Sequence, residues 1–334
     1  MGPLPLIAPV LAVAADAAVA AALSIVYAYR RDLRRAHAAV TGAPVAITTA
    51  GPIEYAEAGT GLPVLSIHGA GGGWDQGLAN VADLFGPEYR VIAPSRFGYL
   101  GTPLPADASD AAQGDAHAAL LAELGVDRAI VVGASAGARS AVALALRHPD
   151  RVTALILIVP ATFAPDSPVR VDRSRSSALA LRLVKLGADF TWWAVAKLAP
   201  SAWVRFLGVA PSLLDAAAPL DRAAVMAAVR HVQPLSRRIR GIGHDSVPQT
   251  ERPPLERIRA PTLVVTARDD LFNTVPAARF AAATIPRAEW VVYESGGHLL
   301  VGRHTDLRVV LRGFLRRADS VGLHMRGAAA ADGP

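Results

Sequence analysis

A serine hydroxyl becomes a nucleophile only when a neighbouring base takes its proton and a third group holds that base in the right tautomer. Three places in this 334-residue chain carry those residue types where they could meet. Ala129-Ile-Val-Val-Gly133-Ala-Ser135-Ala-Gly137 is an apolar run ending in Gly-x-Ser-x-Gly, followed by helix-like spacing. Glycine two positions either side of Ser135 lets the chain turn sharply from strand to helix. Ser135 is thereby predicted at the sheet edge beside a helix N-terminus, where unpaired N–H groups favour negative charge on a substrate oxygen. Thr262-Leu-Val-Val-Thr-Ala-Arg-Asp-Asp270 reads as a buried strand opening into a loop with two carboxylates, Asp269 and Asp270, either of which could orient a base. Tyr293-Glu-Ser-Gly-Gly-His298 ends a further strand in a glycine-rich loop. His298 is favoured as the base over His68, His244 and His304 because the glycine-rich loop after its strand could carry it back to the serine.

A fourth segment, His68-Gly-Ala-Gly-Gly-Gly73, has the glycine content that lets a backbone N–H approach a tetrahedral oxygen. The N–H of Ala136 is the first candidate donor, and that of Ala70 or Gly71 the second; His68 reads as a structural brace for the loop. A phosphate-binding loop would continue as Gly-Lys-Ser/Thr or lead to a ribose-binding acid, and Trp74-Asp75-Gln76 follows instead. No histidine pair has helical His-x-x-x-His spacing, so no metal is expected, and acyl transfer through serine needs no cofactor.

These loops require strands to carry them. Residues 46–49 and 53–56 form two short extended segments around Gly51-Pro52, and residues 64–67, 90–93, 129–132, 153–159, 262–266 and 290–293 read as further strands. Helical spacing occupies 110–124, 140–147 and 306–317, and alternation of strand and helix implies a doubly wound, mostly parallel sheet. After Pro160 the pattern becomes helix-rich and Arg- and Pro-punctuated until residue 262, as for a lid inserted between late strands. Phe190, Trp192, Trp193, Trp203 and Phe206 lie there, either lining an acyl pocket or gluing the lid to the core. The division is therefore an N-terminal hydrophobic helix over 1–35, a core over 45–160 and 255–317, a helical lid over 161–254 and a disordered tail over 318–334.

Composition narrows the function classes. The absence of cysteine excludes disulfides, thiolate zinc sites and a thiol nucleophile. The net charge of +6 comes from arginines, with Lys185 and Lys197 the only lysines, and no basic helix with interleaved aromatics appears, so no nucleic-acid partner is expected. Between Pro3 and Tyr29 the only charged side chain is Asp16, and Arg30-Arg-Asp-Leu-Arg-Arg35 follows. That length suffices for a bilayer-spanning helix. Charge after the apolar run rather than before it favours a retained anchor over a signal peptide, and Arg30, Arg31, Arg34 and Arg35 would hold the body on the cytoplasmic side. The competing reading is an Ala-rich helix packed on the domain.

With these residues in hand, the chain from Ile53 to Leu315 resembles the α/β-hydrolase family, in the motif order Ser, Asp, His. Ala93-Pro-Ser-Arg-Phe-Gly98-Tyr is similar to the family's Asp-x-x-Gly-x-Gly segment, and Leu124-Gly-Val-Asp-Arg to its pre-elbow turn. Ala267-Arg-Asp-Asp270 resembles the family's Gly-x-x-Asp loop, which puts Asp270 in the acid's place. The N-terminal apolar segment and His-Gly-Ala-Gly-Gly-Gly resemble one subgroup in particular. Ser95 stands where many members have Asp, and Ala138 where hormone-sensitive-lipase-like esterases have a second Gly. The resemblance implies hydrolysis of a small-molecule carboxylic ester or related acyl compound through Ser135, Asp270 and His298. A carbon–carbon bond hydrolase of the same fold and a non-catalytic ligand-binding member are the alternatives.

Overall fold

The computed structural model describes residues 4–165, 189–247 and 249–331. Eight strands form one sheet in the order β1-β2-β4-β3-β5-β6-β7-β8. They are β1 (Val45–Thr48), β2 (Gly51–Ala58), β3 (Leu62–Ile67), β4 (Tyr89–Pro94), β5 (Ala129–Ala134), β6 (Val152–Ile158), β7 (Thr262–Ala267) and β8 (Glu289–Tyr293). β1 pairs antiparallel with β2, and β2 with β4; every later pairing is parallel. The continuous apolar runs of β5, β6 and β7 arise because both faces of a parallel sheet are covered. Side chains alternate between those faces. Leu65, Ile67, Val131, Leu155 and Val264 join one buried cluster, while Val64, Ile130, Val132, Ile156 and Val265 join the other.

Helices α1 (Leu4–Ala39), α2 (Trp74–Ala79), α3 (Asp110–Glu123) and α4 (Gly137–Arg147) precede the lid. Ser109 caps α3 by accepting the Ala112 N–H at 3.1 Å. Between β6 and β7, in the span expected to be a lid, the described residues contain α5 (Asp189–Leu198), α6 (Pro200–Phe206), α7 (Pro211–Ala216), α8 (Pro219–His231) and α9 (Ile239–Asp245). Residues 166–188 of the expected lid lie outside the described residues. Trp192 stacks on Trp203 with centroids 3.7 Å apart, and Phe206 meets both rings edge-on. These aromatics thus bind lid helices to one another. Tyr29 of α1 packs against Phe190 and Trp193 of α5, and Asp32 accepts from Trp193 Nε1 at 3.1 Å and pairs with Lys197 at 3.2 Å. The N-terminal helix is therefore fastened to the lid at its C-terminal end, while residues 11–26 remain exposed.

Two helices extend the sequence-based assignment. α10 (Val275–Thr284), which follows the carboxylate loop, begins with Val-Pro and carries no acidic first turn to signal it. α11 (His304–Ala331) runs past residue 317 into the segment expected to be irregular, and its last turns are alanine-rich, the residue type of highest helix propensity.

His117 on α3 is buried against α4, its Nε2 3.2 Å from Ser140 Oγ. Burial first, and the charge of Arg96 second, push its pKa from 6.5 down to about 3. Between those values the unfolded chain holds a proton that the folded chain does not, so stability falls as pH drops from about 6.5. The slope from one such group is about 1.4 kcal/mol per pH unit. The urea midpoint is expected to decline between pH 7 and pH 5, and His117→Gln to flatten that decline; an unaltered slope in the variant would contradict this account.

Candidate active site

Ser135 follows β5 directly and adopts φ +50°, its N–H donating to the Ile158 carbonyl at 2.9 Å and its own carbonyl accepting from Ala161 N–H at 3.0 Å. The flanking glycines are required by contact. A Cβ on Gly137 would lie 2.4 Å from the His68 carbonyl oxygen, and one on Gly133 2.6 Å from Ala141 Cβ. The turn therefore presses α4 against β5 and against the start of the loop over residues 68–73.

His298 reaches Ser135 from the loop after β8. Its Nε2 lies 2.8 Å from Ser135 Oγ and its Nδ1 2.8 Å from Asp270 Oδ2. A carboxylate can only accept, so Nδ1 carries the proton and Nε2 presents its lone pair to the serine hydroxyl. Asp270 also accepts from Phe272 N–H at 2.8 Å and from Thr274 Oγ1. Burial alone would raise the Asp270 pKa, but its interactions with the His298 ring, the Thr274 hydroxyl and the Phe272 N–H outweigh it and hold the carboxyl below its usual range. The ring of Phe272 stands edge-on to His298 with centroids 4.6 Å apart.

Asp269 has a different task. Its carboxylate accepts from Ser295 Oγ at 2.9 Å and from the N–H groups of Gly296 and Gly297 at 2.9 and 2.7 Å, which fixes the glycine-rich loop that carries His298. Arg268 pairs with Glu294. His304 begins α11, His244 lies in α9, and His68 is fully buried behind the oxyanion loop. Ser95 donates to Glu54 Oε2 and accepts from Trp74 N–H, a brace between β2 and the start of α2.

In the glycine-rich loop over residues 68–73, the candidate oxyanion loop, the Gly71 N–H points to Tyr99 Oη at 3.2 Å, so it is already engaged. Arg96 N–H donates to His68 Nε2 at 2.9 Å, which places the His68 proton on Nδ1, 2.7 Å from the Gly69 carbonyl. A trans peptide sets its N–H opposite its carbonyl. With the Gly69 carbonyl turned towards His68, the Ala70 N–H faces away from that ring. Burial, with the Arg96 charge second, holds the His68 pKa well below its ordinary value, so the brace stays neutral.

Sequence reasoning missed Gly208. The Gly208 carbonyl, just past α6, accepts from His298 N–H at 3.1 Å and from Leu271 N–H at 3.2 Å, joining the base loop to the acid loop. No motif marks it, because its partners lie more than sixty residues away.

A sequence model of the Alpha/beta hydrolase family matches residues 64–309. The chain belongs to the alpha/beta hydrolase family. Within it, the 2-hydroxymuconate semialdehyde hydrolase of Pseudomonas putida is 38% identical over 103 residues, which cover 30% of this chain and 37% of that relative. The match thus spans little more than a third of that protein. The 2-hydroxy-6-oxononadienedioate/2-hydroxy-6-oxononatrienedioate hydrolase 1 of Dechloromonas aromatica (strain RCB) is 27% identical over 264 residues, 76% of this chain and 86% of its own. A solved alpha/beta hydrolase fold protein from Nakamurella multipartita superposes with a TM-score of 0.66 at 28% identity, covering 82% of this chain and 99% of that one. This alpha/beta hydrolase fold, with its mostly parallel sheet, is the one the motif order implied, and the named relatives are hydrolases.

Gly208 has φ +78°, and a Cβ there would lie 2.6 Å from His298 Cβ and 2.7 Å from the Phe272 ring. Gly208→Ala is expected to displace His298 and slow modification of Ser135 by an alkyl fluorophosphonate at least tenfold. A rate equal to the parent's would remove Gly208 from the site.

Proposed function

We propose that this hydrolase cleaves a carboxylic ester or related acyl compound through an acyl-enzyme on Ser135. The reading rests on one observation: His298 lies within hydrogen-bonding distance of both Ser135 Oγ and Asp270, in the tautomer that accepts the serine proton. Ser135 Oγ attacks the substrate carbonyl carbon as His298 Nε2 takes its proton, and the carbonyl oxygen becomes an oxyanion. The N–H groups of Ala136 and Ala70 receive that charge. Collapse of the intermediate expels the alcohol, which leaves with the proton from His298. Water then attacks the acyl carbon with His298 again as base, releasing the acid and restoring Ser135. Asp270 stabilises the imidazolium without itself becoming protonated.

Two features favour a neutral acyl substrate. Arg96 and Arg238, the arginines buried behind the oxyanion loop, are paired with Asp245 and Asp75, so neither is offered to a substrate carboxylate. Phe272 beside His298 and Val232 beside Gly71 bring apolar surface to the site. The second reading, cleavage of a carbon–carbon bond in a 2-hydroxy-6-oxodienoate, is favoured by the names of the sequence relatives. It would use the same serine and histidine, with carbon as the leaving atom.

The N-terminal helix is proposed as a membrane anchor of the subgroup whose sequence it resembles, with the hydrolase body on the cytoplasmic side. It contains an 18-residue stretch of mean hydropathy 2.0, none of it buried. The full chain is expected to stay in the membrane pellet after carbonate washing, and a chain lacking residues before Arg30 to be released. Release of the full chain would contradict the anchor.

p-Nitrophenyl butyrate and a 2-hydroxy-6-oxodienoate offered side by side test the substrate class. Ester turnover at least a hundredfold above dienoate turnover, lost in Ser135→Ala, is expected; preferential dienoate cleavage would transfer the assignment to the second reading. Retention of activity in Ser135→Ala would end both.

A further inference from the structure

Behind the oxyanion loop lies a buried polar chain that the catalytic scheme does not use. Tyr99, 1% exposed, donates its hydroxyl proton to Asp245 Oδ2 at 2.5 Å and accepts the Gly71 N–H at 3.2 Å. Asp245 ends lid helix α9 and is itself gripped by Arg96, whose Nη1 lies 3.0 Å from Oδ1 and whose Nη2 bonds Oδ2. Arg96 Nε also donates to the His68 carbonyl at 2.9 Å. The same lid segment is stitched to the loop after β4, with Leu100 N–H donating to Arg237 O at 2.9 Å and Gly241 N–H to Gly98 O at 3.0 Å. Tyr99, Arg96, Gly71 and the Asp245 side chain are buried, so an unmade bond among them would leave a buried polar group unpaired.

We infer that Tyr99 and Asp245 are positioning residues that hold the oxyanion loop from the lid: the Tyr99 hydroxyl fixes the Gly71 N–H, and Ala70 is thereby set as the loop's donor to the reacting oxygen. This rests on the serine-hydrolase reading. The Gly71 N–H is committed to Tyr99, and the His68 ring turns the Gly69–Ala70 peptide so that its N–H faces away from the buried network. Asp245 makes the Tyr99 hydroxyl a directed donor, which leaves a lone pair of the same oxygen for Gly71. The lid is then a component of the oxyanion site as well as a cover. A donor aligned for an oxyanion acts on the transition state more than on bound substrate, so its misalignment lowers kcat and spares KM.

Two measurements on the full chain test this. Residue-resolved amide exchange should find Gly71 protected and Ala70 exchanging at least tenfold faster, and modification of Ser135 by an alkyl fluorophosphonate should then protect Ala70 without altering Gly71. Tyr99→Phe should lower kcat for p-nitrophenyl butyrate about tenfold with KM within twofold of the parent. Unprotected Gly71 in the unmodified chain would overturn the relay, as would a Tyr99→Phe kcat within twofold of the parent or a loss carried wholly by KM. If Tyr99→Phe does not fold, the exchange pattern of the parent decides. If the fluorophosphonate modifies nothing, the hydrolase reading has failed, and Gly71 protection still judges the relay separately.

Discussion

Holding a non-glycine residue at positive φ costs of order 1–3 kcal/mol and persists only where the surroundings enforce it. Ser135 at φ +50° is so enforced, by its bonds to Ile158 and Ala161 and by the contacts that forbid any side chain at Gly133 and Gly137. The turn can form only if β5 lies inside a parallel sheet, with β6 on one side to supply Ile158 and β3 on the other to deliver His68. It also starts α4, so the Ala136 N–H stands at a helix N-terminus next to the serine. The sheet order, the loop before α2 and the placement of Ser135 all bear on that one constraint.

The second organising element is the lid, which reaches the site from two directions. Past α6, the Gly208 carbonyl clamps the loops bearing Asp270 and His298 together. At the end of α9, Asp245 grips Tyr99 and Arg96 behind the loop over residues 68–73. Between them the lid's own core, built on the Trp192–Trp203 stack, carries α5, to which the N-terminal helix is fastened through Tyr29 and Asp32. The N-terminal helix, the helical insertion and the loops bearing Ser135, Asp270 and His298 are thus joined by a continuous set of contacts.

Ser135 and His298 were legible in the sequence as a candidate pair because each stands where a strand gives way to glycine, a purely local signal, and the structure brings them together. The choice between Asp269 and Asp270 was not local. It depended on resemblance, and the geometry separates the two by partner: Asp270 accepts from the histidine ring, Asp269 from the backbone of the loop behind it. That the Gly71 N–H is already engaged was equally closed to sequence, because its partner Tyr99 lies 28 residues away. Gly208, Phe272 and Asp245 were invisible for the same reason, their types being unremarkable and their partners distant. Only the aromatic content of the lid drew notice, and packing within the lid, seen in the Trp192, Trp203 and Phe206 cluster, uses most of it.

The central claim is that Ser135 is an activated nucleophile. Its most direct test is to treat the chain with an alkyl fluorophosphonate and locate the adduct by mass spectrometry. Stoichiometric modification of Ser135 that disappears in His298→Ala is the predicted result. A folded chain that takes up no label, or takes it up at another residue, would contradict it.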